Sequence, residues 1–405
     1  MNLHQIGVFL FMNQHEFVPQ VPYGTRDFLP KEASQKRTVE GALAHLFATW
    51  GYDEVVTPTI EYLETMTVGA GNDLDQHMFK FFDKNNRILA LRSDMTTPMA
   101  RVAATRFKES PIPMKLFYIT NVFRYEQAQA GRQCEFYQAG VEIMGVSEPT
   151  ADAEIIALAV ESMLKSGLQK FQIGLGQVDF INGIMEQSEL SLVQRQQIKH
   201  AMVTRDLVGL SEILVDSGLA PEEQTLLKNI PLLHGKENML KQAYSMVTND
   251  KSRKALDNLA NIYHLLEHYG VSQYVDFDLG IIRDFEYYTG MVFECYTPGL
   301  GFPICGGGRY DNMLNSFGMN TGATGFALGI ERVLLALERQ GIVGIPNCKD
   351  IYVGWGKEKL VAAIGQAEIL RQSGCSVELA LIPQSLLEAQ ISQKSKGYTK
   401  LVYVE

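Results

Sequence analysis

A chain of 405 residues with 46% hydrophobic and 20% charged side chains can bury a large core, which excludes a disordered chain and suggests two or three domains. Its formal charge of −10 disfavours a dedicated nucleic-acid binder, and no apolar run approaches the ~18 residues of a membrane span. Five scattered cysteines (Cys134, Cys295, Cys305, Cys348 and Cys375), odd in number and without CxxC spacing, fit a reducing cytoplasm and argue against a structural zinc site.

The N-terminal patch GVFLF is far shorter than a signal-peptide core and lacks a basic flank. Met12 follows it, so residues 1–11 read as a mis-assigned start or a loose tail, and residues 1–18 as an N-terminal tail. Lys31 to Trp50 reads as a helix with apolar positions at Val39, Leu43, Leu46 and Phe47, stopped by Gly51. Glu54 to Thr57 is a short strand meeting Pro58, and Arg87 to Leu91 is another. Thr97 to Phe107 is a helix started by Thr96 or Thr97, with Pro98 at its first position. Leu116 to Tyr125 and Glu135 to Ile143 alternate with period two around a polar loop containing Gly131, the pattern of a long-looped antiparallel hairpin. Thr150 to Leu164 is an amphipathic helix, with Ile155, Ile156, Ala159, Met163 and Leu164 on its buried side and Gly167 as its stop. Phe171 to Leu175 returns as a strand.

Residues from about 178 to 270 lack strong β runs and read as several short helices, a helical insertion in a β-rich unit. Strand signals resume at Val275, Tyr287 to Tyr296 and Gly301 to Cys305. CGGGRYD then reads as a glycine-dense turn, and GFALGIERVLLALERQ as the final core helix. Gly344 and Pro346 mark a linker. Residues 347–405 read strand, helix, strand, helix, strand, a small α/β unit with a parallel sheet. The whole is α+β, with one unit over residues 19–343 and a second over 344–405.

Several segments carry side chains suited to chemistry. In the hairpin, alternation puts Phe136, Gln138 and Glu142 on one face, with Gly140 leaving a gap and Arg124 ending the partner strand. An arginine, an amide and a carboxylate around a gap suit a small zwitterion, whose ammonium would meet Glu142; an edge hairpin with a solvated outer face fits the same pattern. Asp94 and Thr96, in LRSDMTTPMAR, can bind a ligand ammonium or cap a helix. Arg283 in IIRDFEYYTGMVFE needs an anion, either a bound one or Asp284 or Glu286. On a strand, alternation would send Tyr287 and Tyr288 to opposite faces. Three glycines precede Arg309, allowing close backbone approach or a sharp turn. Arg332, one turn into its helix, can meet a phosphate or simply lie at the surface.

The order and spacing of these segments resemble the catalytic domain of the class II aminoacyl-tRNA synthetases, specifically the histidyl branch. The family's first motif matches the helix and strand ending at Pro58. Its second matches FRYE…GR…F.Q, with Arg124, Glu126 and Arg132, and its third matches GFALGIER, ending in Arg332. RDFEYYTG and GGGRYD match the histidyl-specific signatures. The resemblance implies an antiparallel sheet with flanking helices. It also implies a histidine pocket of Asp94, Thr96, Arg124, Gln138, Glu142, Arg283, Tyr287 and Tyr288, and nucleotide contacts from Arg124, Glu126, Arg132 and Arg332.

Within this branch the chain most resembles a non-synthetase family, the regulatory subunits of short-form ATP phosphoribosyltransferase, which opens histidine biosynthesis. QHMFKFFDKNNRILALRSDMTTPMARVAATR and FQIGLGQVDF carry that likeness, with DMTTP where synthetases usually have an EGT-type sequence. Synthetases typically read RHERPQ.GR.R in the second-motif loop; here Tyr125, Gln127 and Cys134 replace a histidine and two arginines. Each lost cation removes about 1–3 kcal/mol of charge-assisted hydrogen bonding to phosphate. From Val343 to Glu405 seven Lys/Arg face six Asp/Glu, too near neutrality for a domain gripping RNA, and the unit is shorter than the anticodon-binding domain it resembles.

The resemblance therefore implies a cytoplasmic histidine sensor without its own catalysis and without a cofactor. It would bind L-histidine but no tRNA. A homodimer core would dock on the catalytic subunit of the short-form enzyme in a hetero-oligomer, a hetero-octamer by family likeness. The competing expectation is an active histidyl-tRNA synthetase.

Overall fold

In a computed structural model of the protein, the structure describes residues 19–68, 76–125, 133–188, 190–281, 287–342 and 349–405. The first helix, Pro30–Thr49, has Pro30 at its start, where a missing N–H costs nothing. It buries Val39, Leu43, Leu46 and Phe47 as their spacing predicts, and the chain leaves it through Gly51 at φ +80°. The strands, in chain order, are β1 (Asp53–Glu54), β2 (Ile60–Tyr62), β3 (Lys80–Phe82), β4 (Ile88–Leu91), β5 (Met114–Phe123), β6 (Glu135–Met144), β7 (Gln172–Gln177), β8 (His234–Gly235), β9 (Val275–Asp278), β10 (Met291–Tyr296), β11 (Cys305–Arg309), β12 (Ala323–Gly329), β13 (Ile351–Trp355), β14 (Val377–Leu379) and β15 (Lys400–Val404).

Among the described residues these form three sheets. The large one runs β1-β5-β6-β12-β11-β10-β7-β9-β8. Its central pairs are antiparallel, as expected, but β1 lies parallel to β5 and β9 parallel to β7, so the sheet is mixed. A small sheet, β2-β4-β3, flanks it, and β14-β13-β15 is parallel throughout.

Alternation divides the large sheet between two cores. Phe117, Val141, Phe293 and Phe326 join the helices Pro30–Thr49, Pro149–Lys165 and Ile330–Arg339 in the larger core. Leu116, Tyr118, Met144 and Ala323 face the other side, where they meet Met95, Met99, Tyr287 and Tyr310. The helix Pro149–Lys165 buries Ile155, Ile156, Ala159 and Met163, but Leu164 is 36% exposed at the helix end rather than on the buried stripe. Among the described residues between 178 and 268 come six α-helices, three of them capped by the side chains of Ser191, Asp206 and Asn249, plus a short 3-10 helix and the short strand β8. The helical insertion is therefore present, and β8 ties it to the sheet edge through β9.

Other local expectations fail. The stretch GFALGIERVLLALERQ, expected as one helix, opens as strand β12, and its helix begins only at Ile330. CGGGR is not a turn but strand β11, in the middle of the sheet. Strand β10 begins at Met291, so Tyr287 and Tyr288 precede it and alternation does not govern them. The helix Thr96–Arg106 starts earlier than expected, leaving Pro98 third rather than first, with Thr97 N donating to Asp94 Oδ1 at 3.0 Å.

Candidate functional site

A pocket of about 120 Å³ opens on the second face of the large sheet. Its floor follows from register: Glu142 on β6 stands opposite Gly325 on β12, which stands opposite Gly308 on β11. One step along, Gly140 meets Ala327 and then Gly306. This row of small residues leaves a trough in which larger side chains lie. A Cβ on Gly308 would come 2.9 Å from the Tyr288 ring, and one on Gly325 would fall on the Glu142 carboxylate and 2.5 Å from Val141 O. Gly308 and Gly325 are thus spatial requirements of the trough.

The hairpin delivers what its alternation promised, since Phe136, Gln138 and Glu142 all line the pocket, joined by Arg124. Asp94, Thr96, Tyr287, Tyr288 and Arg332 line it too. Tyr287 and Tyr288, expected on opposite faces, share the pocket with ring centroids 4.7 Å apart, because the irregular chain before β10 is free of the pleat. Glu126, Arg132 and Arg283 lie outside the described residues.

Glu142 is 1% exposed. Thr96 Oγ1 donates to its Oε1 at 3.2 Å, and the Tyr310 hydroxyl donates to its Oε2. Asp94, 4% exposed, caps the helix through Oδ1 and Thr97 N, while its Oδ2 is buried without a hydrogen-bond donor among the described residues. Burial pushes both carboxyls up; for Asp94 the Thr97 N–H and the Arg124 guanidinium oppose it, and for Glu142 the Tyr310 and Thr96 hydroxyls do. Arg124 donates from Nε to Ser93 O at 2.8 Å, with its guanidinium 5.4 Å from the Phe136 ring centroid. Arg332, bonded through Nη1 to Pro303 O at 2.6 Å, stands at the pocket wall rather than at a bare surface.

Two tyrosines stand out among the lining residues not named from sequence. Tyr118 sits two positions beyond Leu116 on the pocket face of β5, so alternation held the signal. Tyr310 is in GGGRYD, where no local pattern singles it out. Arg309 points away from the pocket into a buried pair with Asp152, with Nη2 to Oδ1 2.9 Å and Nε to Oδ2 3.1 Å.

Burial holds the Glu142 carboxyl up to about 8, against 4.5 for a free carboxyl. The folded protein therefore keeps a proton there that the unfolded chain releases, and stability falls as pH rises from about 4.5 to about 8. Thermal melts of the ligand-free protein should show Tm declining across that window. A Glu142→Gln variant should flatten this part of the decline; an unchanged profile would place the titration elsewhere.

The histidyl-tRNA synthetase family model matches residues 24–333, which places the chain among the histidyl-tRNA synthetase-like proteins. A histidyl-tRNA synthetase from Nostoc shares the fold alone, with a TM-score of 0.81 at 20% identity over 94% of this chain and 90% of that one. The chain is 43% identical over 385 residues to the ATP phosphoribosyltransferase regulatory subunit of Desulforamulus reducens, covering 94% of this chain and 95% of that one. To the protein of the same name from Moorella thermoacetica it is 41% identical over 378 residues, covering 93% and 96%. The crystal structure of an ATP phosphoribosyltransferase regulatory subunit/histidyl-tRNA synthetase from Bacillus halodurans matches with a TM-score of 0.86 at 32% identity, over 96% of this chain and 99% of that one. The chain belongs to the family of ATP phosphoribosyltransferase regulatory subunits.

Proposed function

We propose that this protein binds L-histidine in the trough and, as the regulatory subunit of a short-form ATP phosphoribosyltransferase, makes the first step of histidine biosynthesis sensitive to its end product. The observation that carries the reading is the Oδ2 of Asp94, buried beside Glu142 without a donor among the described residues. A pocket with two buried carboxylates and a nearby arginine suits a zwitterion that brings its own cation.

In this reading the ligand ammonium takes Asp94 Oδ2, with Thr96 and Gln138 beside it, and Arg124 or Arg283 takes the carboxylate. Glu142 already accepts from two hydroxyls and lies deeper, among Tyr118, Tyr288 and Tyr310. It accepts an N–H of the imidazole ring, on which Tyr288 packs. The division at about residue 343, the homodimer core, the docking on a catalytic subunit in the cytoplasm and the absence of catalysis belong to the same proposal. The near-neutral C-terminal unit supports the lack of tRNA binding.

Purified protein titrated with histidine in a calorimeter should show saturable binding, while incubation with histidine, ATP and cognate histidine tRNA should give no charging above background. Robust charging would convert the assignment to a synthetase. Pyrophosphate exchange without charging would instead show an enzyme that makes histidyl-adenylate alone.

A further inference from the structure

Arg92 is 3% exposed, lies outside the pocket lining, and spends its guanidinium wholly on uncharged oxygens. Nε donates to Asn121 O at 2.8 Å. Nη1 donates to Thr57 O at 2.9 Å and Pro58 O at 3.3 Å, and Nη2 donates to Asn121 Oδ1 at 2.8 Å and to Thr120 Oγ1. Its backbone is held as well, with its N–H donating to Thr59 O at 3.0 Å and its carbonyl accepting from Phe123 N at 2.9 Å. The next carbonyl, Ser93 O, accepts from Arg124, and the next side chain is Asp94.

The Asp94 carboxylate, the base of the ligand hairpin and the segment 57–59 are thus joined through three consecutive residues, Arg92 to Asp94. In that segment Thr57 is buried between exposed neighbours: it is 6% exposed and touches Met95 Sδ at 3.9 Å, whereas Val56 is 85% exposed. A buried cation fully used on backbone and hydroxyl acceptors from separate segments is a rigid tie, because the planar fork fixes all its partners relative to one another.

We propose that Arg92 is a positioning residue that holds Asp94 in the pocket and couples ligand occupancy to the segment 56–59, so that both change together. This deepens the histidine-sensing reading and rests on it: a ligand that draws on Asp94 and Arg124 loads Ser93 from both sides, and Arg92 passes that load to residues 57–59.

Hydrogen–deuterium exchange of the wild-type protein with and without histidine tests the coupling without any variant. Peptides covering 55–61 should change exchange on ligand binding together with those covering 92–97. Arg92→Lys keeps the charge but cannot span all the partners; it should weaken histidine binding about tenfold and abolish the change at 55–61. In a cycle with Asp94→Asn, the double variant should lose no more affinity than the worse single variant. Bound histidine with a response confined to 92–97, or additive losses in the cycle, would overturn the role of Arg92. If Arg92→Lys does not fold, the wild-type exchange result alone decides. A wild-type protein that binds no histidine would overturn the pocket reading itself.

Discussion

Replacing Glu142 with alanine is expected to weaken histidine binding about 100-fold, near the ~3 kcal/mol upper end for a hydrogen bond to a charged group in a buried site. The variant loses the one acceptor shared by Tyr310 and Thr96 and leaves their hydroxyls facing the ligand without a counterpart. The fold should survive, because burying this carboxyl is itself unfavourable, as its displacement to about 8 records. Calorimetric titration at pH 8, where wild-type Glu142 is substantially ionised, with a parallel melt, separates the two effects. Binding should collapse while Tm holds or rises. Wild-type affinity in Glu142→Ala would remove Glu142 from the ligand site.

The second large effect concerns stability alone. Asp152, 1% exposed in the first turn of the helix Pro149–Lys165, and Arg309 on β11 pin that helix across the sheet. Arg309 also donates to Val146 O at 3.1 Å and Glu148 O at 3.3 Å and pairs with Asp311. Asp152→Ala strands a buried guanidinium with only the half-exposed Asp311 as counter-ion, which costs about 3–5 kcal/mol in global stability. Urea denaturation followed by circular dichroism should show the midpoint falling accordingly. Neither residue lines the pocket, so histidine affinity in the folded variant should stay within about twofold. A loss below 1 kcal/mol would mean that Asp311 and the carbonyls suffice for Arg309.

Where the sequence was legible, one periodicity acted alone. The helix ending at Thr49 buries one face, and alternation in the β5–β6 hairpin sorts side chains between two sides of the sheet, so spacing by three and four, or by two, placed Leu43, Phe47, Gln138 and Glu142 on the faces they occupy. The parallel β13–β15 unit was legible for the same reason. Misreadings arose where packing overrode local preference. Glycines usually break strands, yet β11 is a strand of glycines because Tyr288 and the Gly325 backbone occupy the space where Cβ atoms would be. Tyr287 and Tyr288 were assigned a pleat they never enter. Arg309 answers Asp152, 157 residues earlier, a partner no local pattern reveals. Arg92 drew no notice, since its value lies in four partner residues that only the fold assembles.

The central claim is that the trough senses histidine on behalf of another subunit. Its most direct test is reconstitution with the cognate short-form ATP phosphoribosyltransferase catalytic subunit, following phosphoribosyl transfer from phosphoribosyl pyrophosphate to ATP as histidine is added. The complex should be more active than the catalytic subunit alone and should be inhibited by histidine, with inhibition lost when Glu142→Ala replaces the wild-type chain. A complex that ignores histidine, or one whose inhibition survives Glu142→Ala unchanged, would contradict it.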